Sequence, residues 1–372
     1  MKAKRVLITG GAGFVGSHTA DALVRNGHEV CVFDSLAPQV HHGREPYIPE
    51  GAEFIRGDVR DLAKLSFAVK NADVIYHLAA AVGVGQSMYQ VSEYTATNNL
   101  GMANVFQAIL DTRATPEKLV VASSMSIYGE GKYLCRECGE MAPQPRPLDQ
   151  LKAKNWETFC STCGQTLMPV PTAEDKPLQC TSIYALSKKD QEEMALLFGR
   201  TYQIPVVALR YFNIYGTRQS LSNPYTGVCA IFASRLMNRK SPIIFEDGQQ
   251  MRDFVSVHDI VQANLLVLGN SGADGKALNI GSGQPVTICE VADALSNALG
   301  IQVSADINGK YRAGDVRHCF ADITQASQRL RYQPRMTLKQ GLEELVTWLR
   351  SQQAKDSVDQ AMQQLDVHGL VA

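Results

Sequence analysis

Tyr184 and Lys188 stand four positions apart in Thr181-Ser182-Ile183-Tyr184-Ala185-Leu186-Ser187-Lys188, a stretch that reads as a helix. On a helix this spacing puts both side chains on one face in consecutive turns. A phenol with an ordinary pKa of about 10 is a poor base at neutral pH. A neighbouring ammonium favours the phenolate, so the pair could work as an acid/base. By itself the pair equally fits a solvated helix face, and its meaning depends on the rest of the chain. A second cluster is Cys135-Arg136-Glu137-Cys138-Gly139 with Cys160-Ser161-Thr162-Cys163-Gly164: two Cys-x-x-Cys knuckles, each followed by Gly and separated by 21 residues. That spacing suits a closed four-thiolate zinc site, with free thiols or redox dithiols as the plainer alternatives. The third feature is Gly10-Gly11-Ala12-Gly13-Phe14-Val15-Gly16, a Gly-rich turn able to cradle a pyrophosphate at a helix N-terminus.

The elements around these residues give them a setting. Arg5 to Thr9 is a short apolar run before the glycines, a helical pattern follows to Asn26 with Gly27 as cap, and a strand from Glu29 ends at Asp34. Strand, Gly-rich turn, helix, strand and acid is the order of a dinucleotide-binding unit, and Asp34, 21 residues beyond Gly13, sits where a carboxylate meets an adenosine ribose. No Arg follows Asp34 directly, which favours NAD over NADP. The alternation continues through strands at 52–56, 73–77, 118–122 and 205–209 and helices at about 61–69, 95–110 and 182–202. Such alternation predicts an α/β fold with a doubly wound parallel sheet, its ligands at the carboxyl ends of the strands. Asp34, Asp58, Ala79 and Ser124 all fall there.

The chain's 372 residues suffice for two interleaved domains. We expect a Rossmann domain over 1–215, interrupted by a zinc-ribbon-like insertion at 131–178, and a substrate domain over 216–350. Part of 250–272 is expected to return to the first domain, and 351–372 to form a polar helical tail with Val358, Met362 and Leu365 as its apolar stripe. Thr287…Glu290 and Thr337…Gln340 are capping boxes that start two helices. Net charge is −1, and the insertion carries six Lys and Arg against six Asp and Glu, which argues against nucleic-acid or membrane-surface partners. With no apolar run of transmembrane length and no signal-peptide pattern, a cytoplasmic location is expected. Arg218, Arg235, Arg252, Arg312 and Arg317 are available for an anionic ligand, although most arginines are merely solvated.

Taken together, the chain resembles an extended short-chain dehydrogenase/reductase of the nucleotide-sugar epimerase/dehydratase group. The resemblance rests on Gly10–Gly16, Asp34, Asp58, His77-Leu78-Ala79-Ala80, Asn98, Ser123-Ser124…Tyr128-Gly129, Tyr184…Lys188, Tyr211-Phe212-Asn213, Arg252-Asp253-Phe254-Val255 and Arg312…Asp315. It implies NAD contacts from Gly10, Gly13, Phe14, Val15, Gly16, Asp34, Asp58, Val59, Leu78, Ala79, Ala80, Asn98, Ser123, Tyr184, Lys188 and Phe212. It implies that Tyr184 exchanges the hydroxyl proton of a sugar, that Ser124 holds the same oxygen, and that Lys188 holds the cofactor ribose and lowers the Tyr184 pKa together with the nicotinamide. Lowering it to about 7 takes about 4 kcal/mol. Ser126, Asn213, Arg252 and Arg312 join Ser124 as substrate residues, the two arginines on the diphosphate. A homodimer paired through the helices at 95–110 and 182–202 is also implied.

Ser124-Met125-Ser126-Ile127-Tyr128 bears on the reaction. By resemblance, a dehydratase of this group needs an Asp-Glu pair at 125 and 126, a decarboxylase a Glu at 126 and a 3,5-epimerase a Cys there. With none of these, oxidation at C4, rotation of the keto-sugar and hydride return remain, which is 4-epimerisation. The stretches 80–87 and 123–131 most resemble bacterial dTDP-L-rhamnose 4-epimerases; UDP-hexose or UDP-uronate 4-epimerisation is the alternative. Two readings of another kind stay open. A net oxidoreductase would consume its NAD, whereas a regulatory protein contacting partners through the ribbon has no need of the Ser124/Tyr184/Lys188 trio.

Overall fold

The structure, a computed structural model, describes residues 2–43, 45–312 and 314–372. Its centre is a sheet of seven strands: β1 (Arg5–Thr9), β2 (Glu29–Asp34), β3 (Glu53–Arg56), β4 (Val74–His77), β5 (Lys118–Ser124), β6 (Val206–Tyr211) and β7 (Lys276–Ile280). They are all parallel, in the order β7-β6-β5-β4-β1-β2-β3. Successive side chains of β1 serve opposite faces. Val6 and Ile8 join one core with Val255, Ile260, Ala263 and Val267, while Leu7 joins the other with Val105, Ile109, Ala195 and Phe198. A strand covered on both faces must be apolar throughout, which is why Val6-Leu7-Ile8 reads as an unbroken run.

The strand order reverses between β1 and β4, where the loops leaving the two carboxyl ends part and open a crevice. The Gly-rich turn leaves β1 there and enters α1 (Phe14–Arg25). Gly16 packs so closely on this turn that a Cβ would lie 2.1 Å from the Gly10 carbonyl oxygen, so no other residue fits. Helix α2 (Leu62–Val69) is capped by Asp61, which accepts from the Lys64 N–H. Helix α3 (Gly101–Thr112) follows, then α4 (Ile183–Tyr202), capped by Ser182, which accepts from the Ala185 N–H, and α5 (Val257–Leu268).

The stretch expected as one regular helix over 95–110 departs from that reading. Thr95–Leu100 is a π-helical turn leading into α3, and Asn98 sits within it. The Asn98 side chain is the physical reason: it leaves the helix to bond the Ala81 backbone, accepting at 2.8 Å and donating at 3.1 Å, and donates to Ser187 Oγ at 2.9 Å. The chain also returns to the sheet beyond 272, since β7 completes its edge.

Three helices, Val228–Met237, Ile288–Leu299 and Leu338–Leu349, share a separate core through Phe232, Leu236, Val291, Leu295, Leu342 and Leu345. Both anticipated capping boxes are formed. The insertion carries a three-stranded antiparallel sheet, Gly139–Met141, Lys132–Cys135 and Met168–Val170, over a small core of Tyr133, Cys135, Cys160 and Leu167 with half-buried Met141 packed against it. The tail helix Val358–Val367 buries Val358, Ala361 and Leu365, and the chain beyond it pairs backbone with Tyr311. Among the described residues no helix is long and apolar enough to cross a membrane.

Candidate active site

One cavity of about 900 Å³ runs along the crevice, from the Gly-rich turn past the ends of β4 and β5 to the second core. Gly10, Gly13, Phe14, Val15, Gly16, Asp34, Asp58, Val59, Leu78, Ala79, Ala80, Ser123, Tyr184, Lys188 and Phe212 line it, as do Ser124, Ser126, Asn213, Arg252 and Arg312. Asn98 does not reach it. Fully buried, it fixes the Ala81 backbone on the cavity wall and ties it to α4, so its place is behind the surface that a ligand would touch.

The turn and its acid are tied together. Asp34 accepts from the Ala12 N–H at 3.1 Å and the Leu36 N–H at 2.8 Å, and Gly13 caps α1 without a side-chain partner. First-turn N–H groups and the positive end of the helix dipole therefore face the cavity, as an anionic pyrophosphate requires. Asp58 is held by Arg60, whose hydrogen bonds keep its carboxyl below the usual range, and Arg60 bridges onward to Glu93.

Tyr184 is buried on the same wall. Its N–H donates to Ser87 Oγ at 3.0 Å, and its ring meets Tyr94 edge-on. Ser124 Oγ lies 2.8 Å from Ser126 Oγ. Lys188 donates to the Ala122 carbonyl at 2.7 Å and to Gln191 Oε1 at 3.0 Å, and burial brings its ammonium down to about 7. The chain alone does not depress the phenol as the Tyr/Lys spacing suggested. Burial raises the Tyr184 pKa, and the neighbouring Ser124 hydroxyl is the influence that lowers it.

Of the five arginines, Arg218, Arg252 and Arg312 reach the cavity. Arg235 is committed to Asp359 and Asp356 beside the tail helix, and Arg317 to Asp247, Glu157 and Glu246. Among the described residues, four buried polar atoms of cavity-lining side chains have no protein partner: Asn213 Oδ1, Arg218 Nη1, Gln219 Oε1 and Gln250 Oε1. These atoms are available to pair with a polar ligand, since buried polar groups are ordinarily hydrogen-bonded. Residues not assigned to the site from sequence complete the wall. Gln39 donates to Gln86 at 2.9 Å and to Asn223 at 3.2 Å across the crevice, and the tail contributes Val358, Ala361, Met362 and Leu365. Nothing in the local pattern at Gln39 marks it; for the tail, the apolar stripe was the signal.

Away from the cavity, the sulfur atoms of Cys135, Cys138, Cys160 and Cys163 all lie within 4.8 Å of one another, those of Cys135 and Cys163 at 3.4 Å. Tetrahedral zinc with bonds of about 2.3 Å separates its thiolates by about 3.8 Å, so the donor set fits. Backbone N–H groups, first of Cys163, bring the Cys160 thiol down to about 6.

A Gly-rich phosphate cradle, a carboxylate beyond it and a Ser/Tyr/Lys trio on one cavity of a doubly wound sheet define an NAD-dependent enzyme. The family model for the NAD dependent epimerase/dehydratase family matches residues 6–148 and 158–281, and the chain belongs to that family. A dTDP-L-rhamnose 4-epimerase of Burkholderia thailandensis is 33% identical over 351 residues, 93% of this chain and 95% of that protein. Among solved structures, the UDP-N-acetylglucosamine 4-epimerase of Methanobrevibacter ruminantium superposes with a TM-score of 0.76 at 29% identity, covering 95% of this chain and 100% of the other. The UDP-glucose 4-epimerase of Thermus thermophilus in complex with NAD gives 0.74 at 28% identity, covering 93% and 99%.

Proposed function

We propose that the protein inverts C4 of a nucleotide-diphosphate sugar through a transient 4-keto intermediate, converting dTDP-L-rhamnose to dTDP-6-deoxy-L-talose. The observation that carries the reading is the chemistry of one wall. Tyr184, Ser124 and Lys188 are present there, while the two positions beside Ser124 hold Met125 and Ser126, neither an acid nor a base. Tyr184 takes the C4 hydroxyl proton and later returns it, and Ser124 holds that oxygen through its own hydroxyl. Bound NAD supplies a hydride acceptor and then a donor at C4. Arg252 and Arg312 hold the diphosphate while the keto-sugar turns over, and Asn213 pairs with the substrate. Incubation with a panel of dTDP- and UDP-sugars, read by NMR, tests the substrate. Inversion of dTDP-L-rhamnose is expected, and turnover confined to a UDP-hexose or UDP-uronate would replace that assignment.

The reaction type has its own test. With a sugar deuterated at C4 the label is expected to remain at C4 of the product, because hydride leaves and returns within one site. Solvent deuterium at C3 or C5 would mean enolisation and contradict the reading of Met125 and Ser126.

We further assign zinc to the four cysteines as a closed structural site, and a homodimer to the faces of α3, the turn before it and α4. Leu100, Leu110, Leu186, Leu197 and Tyr202 are exposed on these elements, an apolar surface that pairing would cover. Sedimentation at micromolar concentration is expected to give the dimer mass; a monomer would refute the pairing.

A further inference from the structure

The insertion is joined to more than its root. Arg146 leaves it as a buried side chain and forms a bidentate pair with Glu246, at 2.9 and 2.8 Å. The same guanidinium donates to the Trp156 carbonyl at 2.9 Å, inside the insertion, and to the Asp315 carbonyl at 3.0 Å, outside it. Asp315 is the acid that holds two of the cavity arginines, Arg312 at 2.7 Å and Arg252 at 3.6 Å. Arg252 also donates to the carbonyls of Arg317, at 3.0 Å, and Val316. Glu157 of the insertion pairs with Arg317 at 2.6 Å and faces His318 at 3.5 Å, and the Trp156 ring lies against Tyr311.

The backbone around Asp315 is therefore gripped from the side away from the cavity by groups of the insertion. On the cavity side the same segment carries Arg312 and holds Arg252, which stands on the strand Met251–Ser256. A guanidinium fork is a rigid, directional clamp, and deleting it would leave Glu246 a buried carboxylate short of a partner.

We infer that Arg146 is a positioning residue for substrate: through Asp315 it fixes Arg252 and Arg312 where the diphosphate binds, which makes the insertion a determinant of nucleotide-sugar affinity. This rests on the reading of those two arginines as diphosphate ligands. If Arg146 only stapled the insertion to the body, its loss would lower stability and leave affinity for the nucleotide alone unchanged.

The test uses NAD-loaded enzyme, with calorimetric titration of dTDP and UDP beside steady-state kinetics. Arg146→Met is expected to weaken nucleoside-diphosphate binding and raise KM by about five- to twentyfold, with kcat little changed and NAD retained. Arg146→Lys, which keeps the charge but not the fork, should recover only part of the affinity. Glu157→Gln, at a half-exposed position, should show a smaller loss in the same direction and serves if Arg146→Met does not fold. Affinity within twofold of wild type in both Arg146→Met and Glu157→Gln, or in Glu157→Gln alone where Arg146→Met does not fold, would overturn the inference, as would a fall in kcat at unchanged KM. Arg312→Ala locates a failure: if it too leaves affinity unchanged, the diphosphate reading has failed, and if it weakens binding while Arg146→Met does not, only the link has failed.

Discussion

Tyr184→Phe is expected to give a folded, NAD-loaded protein whose turnover is lower by about 10²- to 10⁴-fold, the usual size of a general acid–base contribution. The fold should survive because the ring keeps its edge contact with Tyr94 and the Tyr184 N–H keeps Ser87. The hydroxyl oxygen is the sole heavy atom removed. Since burial raises the phenol in the chain alone, the rate depends on the groups that favour its ionised form, and Ser124 is one of them. Ser124→Ala should then share the defect in turnover with little change in bound NAD. A Tyr184→Phe enzyme with more than about a tenth of wild-type turnover would refute the acid/base assignment.

Cys160→Ser is expected to strip the metal and lower activity while NAD stays bound. Four buried side chains make up the core of the insertion, too few to order it by burial, whereas zinc on four thiolates contributes about 10–16 kcal/mol in small peptides. The loss should be felt mainly as weaker nucleotide-sugar binding, because Arg146 and Glu157 depend on a folded insertion to reach Asp315 and Arg317. The cofactor cradle at Gly10–Gly16 and Asp34 belongs to β1, α1 and β2 and does not share these contacts. Metal analysis of freshly purified protein showing no zinc, or full activity after its removal, would overturn this account.

What the sequence determined by itself was whatever is encoded at short range. The Gly-rich turn, the alternation of strands and helices, the two capping boxes and the two Cys knuckles each depend on neighbours within a few residues, so their spacing is visible in the chain. Nearly all of the residues expected around NAD and substrate line the cavity for the same reason: in a parallel sheet the carboxyl end of every strand faces one side, and a residue's place on its strand locates it. The tertiary structure alone decided the rest, which depends on elements far apart in sequence. It put Asn98 behind the wall, held by Ala81 and Ser187, and wound the helix around it into a π turn. It raised the Tyr184 phenol, because burial is a property of everything packed around a side chain. It also divided the arginines, committing Arg235 and Arg317 to carboxylates away from the cavity and leaving Arg218, Arg252 and Arg312 on it, since an arginine's role is set by which groups the fold brings to it.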